Sequence, residues 1–218
     1  MQHANSIELW GAHTARTFRP VWVAEELELD YTLYPLAPRS GELQTPEYIQ
    51  LNPRQKIPYM RDGELEISES LAISRYLVNA YGNQTLSTPS SPAEIAKEDA
   101  WCCYTYGELD ETSLYVIRRH RDLAEIYGGS ETVVQSCFDY LNRHLNVIEN
   151  HLKGHQYVLE KGFSLADIML QTCLTWAEDY GAELGTECKR YISFIGERPA
   201  YQRARHSNYT PQEQQWVP

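Results

Sequence analysis

Ile57-Pro58-Tyr59-Met60-Arg61-Asp62-Gly63-Glu64-Leu65-Glu66-Ile67-Ser68-Glu69-Ser70-Leu71-Ala72-Ile73-Ser74-Arg75-Tyr76-Leu77 is the stretch on which the reading of this chain turns. Two short β-prone runs, Ile57 to Arg61 and Leu65 to Ile67, flank the turn Asp62-Gly63, which is the pattern of a tight β-hairpin. Ser68 then reads as the cap of a helix whose apolar face, Leu71, Ile73, Tyr76, Leu77 and Ala80, runs to a stop at Tyr81-Gly82.

Upstream, a short helix around Pro46 to Leu51 ends before Asn52-Pro53, and Tyr31 to Leu36 reads as a strand closed by Pro35 and Pro38. Before it, Phe18, Val21, Trp22, Ala24 and Leu27 carry a helical period to about Glu28, preceded by the strand Ile7 to Trp10 that Gly11 breaks. The order over residues 1–82 is therefore β-α-β-α-β-β-α.

Downstream the pattern changes. Asn83 to Pro92, with Ser87, Pro89, Ser90, Ser91 and Pro92 and no periodicity, reads as a linker. Ala93 to about Leu123, Glu131 to Leu152, Leu165 to Tyr180 and Gly185 to Ile195 then show helical spacing, so residues 93–218 read as an all-helical domain. The tail from Ser207 reads as an extended arm.

With 218 residues the chain suits one large or two small domains. Nineteen Lys and Arg against 30 Asp and Glu give a net charge of −11, a field that repels phosphate backbones and anionic lipid, so neither nucleic acid nor a membrane surface is an expected partner. No apolar run is long enough for a membrane span, and Met1-Gln2-His3-Ala4-Asn5 lacks the character of a signal peptide, so a cytoplasmic protein is expected. The five cysteines, Cys102, Cys103, Cys137, Cys173 and Cys188, show no Cys-x-x-Cys spacing and read as reduced thiols without a metal.

Two features point to chemistry. A proline that opens a strand, as in Ile57-Pro58, fits an edge strand; if cis, it also turns the preceding backbone outward, where an extended peptide ligand can pair. Glu69-Ser70 lies at a helix start, where free amides and the macrodipole favour a carboxylate and Glu69 can meet an ammonium group; the plain reading is an ordinary helix N-terminus. The hairpin places both on one ligand.

Asn52-Pro53-Arg54-Gln55-Lys56-Ile57-Pro58 followed by Glu69-Ser70-Leu71-Ala72-Ile73-Ser74-Arg75-Tyr76-Leu77 resembles the paired glutathione-site motifs of the glutathione S-transferases. Phe163-Ser164-Leu165-Ala166-Asp167-Ile168 is similar to that family's N-capping box, in which a Ser hydroxyl and an Asp carboxylate close a helix start reciprocally. The resemblance implies a thioredoxin-like domain joined to a helical one over essentially the whole chain, and a homodimer.

It also implies a site. Ile57 would hold the cysteinyl backbone of glutathione, Pro58 would be the cis proline, Glu69 and Ser70 would bind the γ-glutamyl end, and Lys56 and Gln44 would be outlying contacts. Gln55 stands where the family usually has glycine. The family activates the thiol with a Tyr, Ser or Cys just after the first strand, whereas Gly11-Ala12-His13-Thr14-Ala15-Arg16-Thr17-Phe18-Arg19-Pro20 contains none of these. Thr14 falls on the serine position of serine-type members, with Thr17 one turn further on and Arg16 close enough to stabilise a thiolate; Thr14 is equally suited to capping the first helix. His13 reads as a loop residue.

Trp101, Tyr104, Tyr106 and Tyr115 offer aromatic surface for a planar apolar substrate, or serve as core or dimer contacts. The expected activity is transfer of the glutathione thiolate to small hydrophobic electrophiles. A glutathione-dependent disulfide or peroxide reductase and a non-enzymatic binding or scaffold protein of the same fold are the alternatives. A cysteine-type thiol transferase is disfavoured because no Cys precedes Cys102, and a zeta-type isomerase because its Ser-Ser-Cys signature is missing.

Overall fold

The computed structural model describes residues 7–82 and 84–210. Asn83 of the expected linker and the tail beyond residue 210 lie outside them. The chain divides into two compact units, one made of the residues up to Thr88 together with those from Glu197 onward, the other of Pro89–Gly196.

The first unit holds β1 (Ile7–Trp10), α1 (Ala15–Glu26), β2 (Tyr31–Tyr34), a 3₁₀ turn (Glu42–Gln44), α2 (Pro46–Leu51), β3 (Tyr59–Asp62), β4 (Leu65–Ser68) and α3 (Ser70–Tyr81). The expected β-α-β-α-β-β-α order is present, with strand order β2-β1-β3-β4. β1 pairs in parallel with β2 and antiparallel with β3, and β3 pairs antiparallel with β4 in a register that sets Tyr59 opposite Ser68 and Asp62 opposite Leu65. The turn therefore centres on Gly63 and Glu64, one residue later than the expected Asp62-Gly63 because Asp62 still pairs with Leu65, and Gly63 takes a φ of +60°, which glycine adopts without steric cost.

Three further expectations in this unit need correction. β2 stops at Tyr34 rather than Leu36. Ser68 does not cap α3; it ends β4 in register with Tyr59, and Glu69, at a φ of +79°, becomes the residue flanking the helix. The third lies at the C-terminus, where Ser207 and Tyr209, expected to begin an extended arm, instead close the helix α10 (Pro199–Tyr209), which groups with the first unit and not with the helical block read through 218. Its buried stripe is only Ala200, Tyr201, Ala204 and Asn208, too small and polar to register as a helical face. Tyr201 packs edge-on against Phe18 and Trp22 of α1, at ring distances of 5.3 and 4.9 Å. Arg198 forks onto Glu26 with two 2.7 Å bonds, and Trp22 Nε1 donates to the same carboxylate at 2.9 Å.

The second unit is helical: α4 (Pro92–Tyr104), a π-helical segment (Thr105–Leu114), α5 (Tyr115–His120), α6 (Ala124–Tyr127), α7 (Glu131–Leu152), α8 (Leu165–Asp179) and α9 (Thr186–Gly196). The single helix expected from Ala93 to Leu123 is thus interrupted. The looser turn is tied at the five-residue spacing, with the Ser113 hydroxyl donating to Glu108 O at 2.7 Å and the Tyr115 amide to Asp110 O. α8 is the core element, buried from Leu165 through Leu174.

Asp167 anchors the start of α8. Its carboxylate accepts from the Ser164 amide at 2.8 Å, the Ser164 hydroxyl at 3.1 Å, the Val158 amide at 2.8 Å and the Tyr191 hydroxyl at 2.7 Å. Burial pushes the Asp167 carboxyl up to about 6 even though these donors pull the other way. All five cysteines are free; Cys102, Cys173 and Cys188 are buried and Cys103 is exposed. Among the described residues, no helix is long and apolar enough to cross a membrane.

Candidate functional site

The β3–β4 register builds the site. Because Tyr59 faces Ser68, the residues just before one and just after the other, Ile57-Pro58 and Glu69-Ser70, meet at the same end of the hairpin, where adjacent strands stand about 4.8 Å apart. The Ile57-Pro58 bond is cis. Behind it, the Tyr48 hydroxyl and the Asn52 side-chain amide both donate to Lys56 O at 2.8 Å, fixing the approach to Ile57. Ile57 packs on the apolar cluster of Trp10, Leu36, Leu43, Tyr48 and Tyr59, and burial pushes the Tyr48 phenol up to about 12, so it stays a donor.

Gln55, in the position the family usually gives to glycine, has a φ of +53°. That is the left-handed region glycine fills best, so a residue with a side chain is held there at some backbone cost.

Ser70 is 3% exposed, and its Oγ accepts from Arg19 Nη1 at 3.4 Å. Arg19 lies wholly buried in α1 and adds positive charge behind the α3 N-terminus, where the macrodipole already favours an anion. Glu69 is exposed and pairs with Arg54 at 3.1 Å, with side-chain exposures of 58% and 64%. A pair so open to water contributes at most about 1 kcal/mol, so it leaves the Glu69 carboxylate free to change partner at little cost. Arg54 also donates to Ser68 Oγ at 3.2 Å. Lys56 and Gln44 have exposed side chains.

The start of α1 closes against this strand end through Gly11. At a φ of +115°, a Cβ there would stand 2.6 Å from Ile57 Cβ and 2.8 Å from Thr17 Cγ2, so glycine permits the close approach. Thr14 is the N-cap of α1 and Thr17 its N3 residue, in a reciprocal box: the Thr17 amide donates to Thr14 Oγ1 at 3.0 Å and the Thr14 amide to Thr17 Oγ1 at 3.1 Å. Thr14 and Arg16 are partly exposed, and Thr17 is wholly buried, so Thr17 meets no ligand directly. Asn208 of α10, also buried, holds this corner at three points. Its carbonyl accepts from the His13 amide at 2.9 Å, its Oδ1 from the Thr17 hydroxyl at 2.7 Å, and its Nδ2 donates to Thr14 O at 3.2 Å.

In the helical unit, Trp101 packs edge-on against Tyr104 at 5.6 Å and lies 4.4 Å from the His151 ring. The Tyr104 hydroxyl bonds His144 Nδ1 at 2.9 Å, and burial pushes its phenol up to about 12. Tyr106 donates to Glu111 at 3.2 Å, while Tyr115 opens α5, partly buried. Trp101, Tyr104 and Tyr106 are thus engaged with neighbours inside their own unit.

Arg19, Arg54 and Asn208 belong to the site region without having been singled out from sequence. Arg19 carried a faint signal, a charge set among Phe18, Val21 and Trp22 on a buried helix face.

The profile of the glutathione S-transferase N-terminal domain matches residues 5–79, and that of the C-terminal domain residues 98–199. The chain belongs to the glutathione S-transferase family. Glutathione S-transferase 1 of Triticum aestivum is 28% identical over 158 residues, 66% of this chain and 67% of that one. Glutathione S-transferase 3 of Schizosaccharomyces pombe is 26% identical over 199 residues, covering 85% and 81%. The crystal structure of a glutathione transferase from Pseudomonas putida with one glutathione disulfide bound per subunit superposes with a TM-score of 0.80 at 25% identity, covering 94% of this chain and 92% of that one.

Proposed function

We propose that the protein binds reduced glutathione across the hairpin end and transfers its thiolate to small hydrophobic electrophiles. The observation that carries this reading is the convergence of Ile57-Pro58 and Glu69-Ser70 that the Tyr59–Ser68 register enforces. Ile57 would offer backbone to the cysteinyl residue, the start of α3 with Ser70 would take the γ-glutamyl carboxylate while the buried Arg19 adds positive charge behind it, and Glu69 would take the ammonium. Lys56 and Gln44, both exposed, would be outlying contacts. Thr14, partly exposed at the N-cap of α1, would be the hydroxyl that meets the sulfur, with Arg16 lending positive charge. A free thiol ionises near 8.5, so a donor at the sulfur and nearby positive charge favour the thiolate. The electrophile would be received by aromatic surface of the helical unit, and the assembly would be a cytoplasmic homodimer.

Replacing Ser70 by Ala tests the site. Loss of a hydroxyl facing a carboxylate should weaken glutathione binding about tenfold in a calorimetric titration. An unchanged affinity would remove α3 from the site.

A glutathione-dependent disulfide reductase is the second reading. It is favoured by the P. putida structure, which holds glutathione disulfide, and by the network around Thr14, whose hydroxyl has a competing partner inside the protein.

A further inference from the structure

The hydroxyl protons at the start of α1 can be assigned from geometry. Thr17 Oγ1 owns one proton and two lone pairs. Around it stand the Thr14 amide at 3.1 Å, Thr14 Oγ1 at 3.0 Å, Thr14 O at 2.9 Å and Asn208 Oδ1 at 2.7 Å. The amide is a donor and takes one lone pair. The two carbonyl oxygens are acceptors only, and the Asn208 amide is oriented by its Nδ2 bond to Thr14 O. The Thr17 proton therefore goes to Asn208 Oδ1, its shortest contact, or to Thr14 O, and in neither case to Thr14 Oγ1. The contact between the two hydroxyls is then donated by Thr14 into the remaining lone pair of Thr17. Since Thr14 Oγ1 already accepts from the Thr17 amide, only a lone pair is left to face outward.

We propose that Thr17, held by Asn208, is a positioning residue that withholds the Thr14 proton from a bound thiol and so restrains its activation. The inference rests on the glutathione reading above. When the thiol loses its proton to solvent, the thiolate sulfur gains the Thr14 O–H only as that bond swings away from Thr17. Part of the stabilisation is spent on the exchange. Removing the Thr17 hydroxyl takes away the acceptor that the Thr14 proton has among the described residues and should make the bound thiol more acidic. A residue that merely supported the fold would do the reverse or nothing.

The test is the ultraviolet thiolate absorbance of bound reduced glutathione against pH in the parent, Thr17→Val, Thr17→Ser and the double variant Thr14→Val/Thr17→Val. For Thr17→Val the midpoint should fall by about half to one pH unit, roughly three- to tenfold more thiolate below the midpoint. Thr17→Ser should behave as the parent, and the double variant should lose the gain. A midpoint that rises or stays in Thr17→Val while the parent binds and activates glutathione overturns the inference and leaves the glutathione reading standing. A parent that does not bind glutathione overturns both. Should Thr17→Val fail to fold, neutron diffraction of the parent reads the deuterium between the two hydroxyl oxygens directly: bonded to Thr14 it supports the inference, bonded to Thr17 it refutes it.

Discussion

Two capping networks in this molecule look alike in sequence and differ in what they leave open. At the start of α8 the Asp167 carboxylate is wholly buried and collects donors from Ser164, Val158 and Tyr191. At the start of α1 the Thr14–Thr17 box is half at the surface, and its second hydroxyl is tied to Asn208 rather than to its own helix alone. A closed buried network stabilises and does little else, since every donor has its acceptor. A network whose outer member reaches solvent can exchange a partner, and exchange is what binding at the Ile57 strand end requires.

The two caps differ most at Asp167. Asp167→Ala strands several buried donors and should destabilise the protein by about 3 kcal/mol, read by urea unfolding. The same carboxyl supplies a pH test. Its pKa is raised from 3.8 to about 6 in the folded protein, so the native state holds a proton that the unfolded chain has released in that window. Stability from this group is full below about 4 and falls as pH rises to about 6. That slope should vanish in Asp167→Asn.

At the other end of the scale is Arg54→Ala. With both partners exposed, loss of the Arg54–Glu69 pair should change stability by less than about 1 kcal/mol and raise glutathione affinity no more than a few-fold, since Glu69 loses a competitor. A tenfold drop in affinity would instead make Arg54 a ligand contact.

The sequence was most legible where side-chain pattern and backbone agree. The hairpin, the helix from Ser70 and the long helix Glu131–Leu152 are all carried by apolar periodicity, and the Phe163–Ile168 motif named its own hydrogen bonds. It was least legible where the decisive contact joins residues far apart. Nothing local marks Asn208 as a partner of Thr14 and Thr17, because its helix shows only alanines and a tyrosine as an apolar face. Ser68 misled for a related reason: strand register, a pairing with Tyr59, outweighed its capping propensity. The π-helical turn from Thr105 to Leu114 left no pattern of its own, since its ties run from Ser113 and Tyr115 back to main-chain carbonyls.

Everything proposed for this molecule depends on the corner made by Thr14, Ile57 and Ser70 binding glutathione and favouring its thiolate. The direct measurement is the thiolate absorbance of reduced glutathione titrated with pH, with and without the protein, in the parent and in Thr14→Val. The bound midpoint should lie below the roughly 8.5 of a free thiol and return toward that value in Thr14→Val while affinity is kept. Glutathione that binds with an unshifted midpoint, or does not bind at all, would contradict this reading.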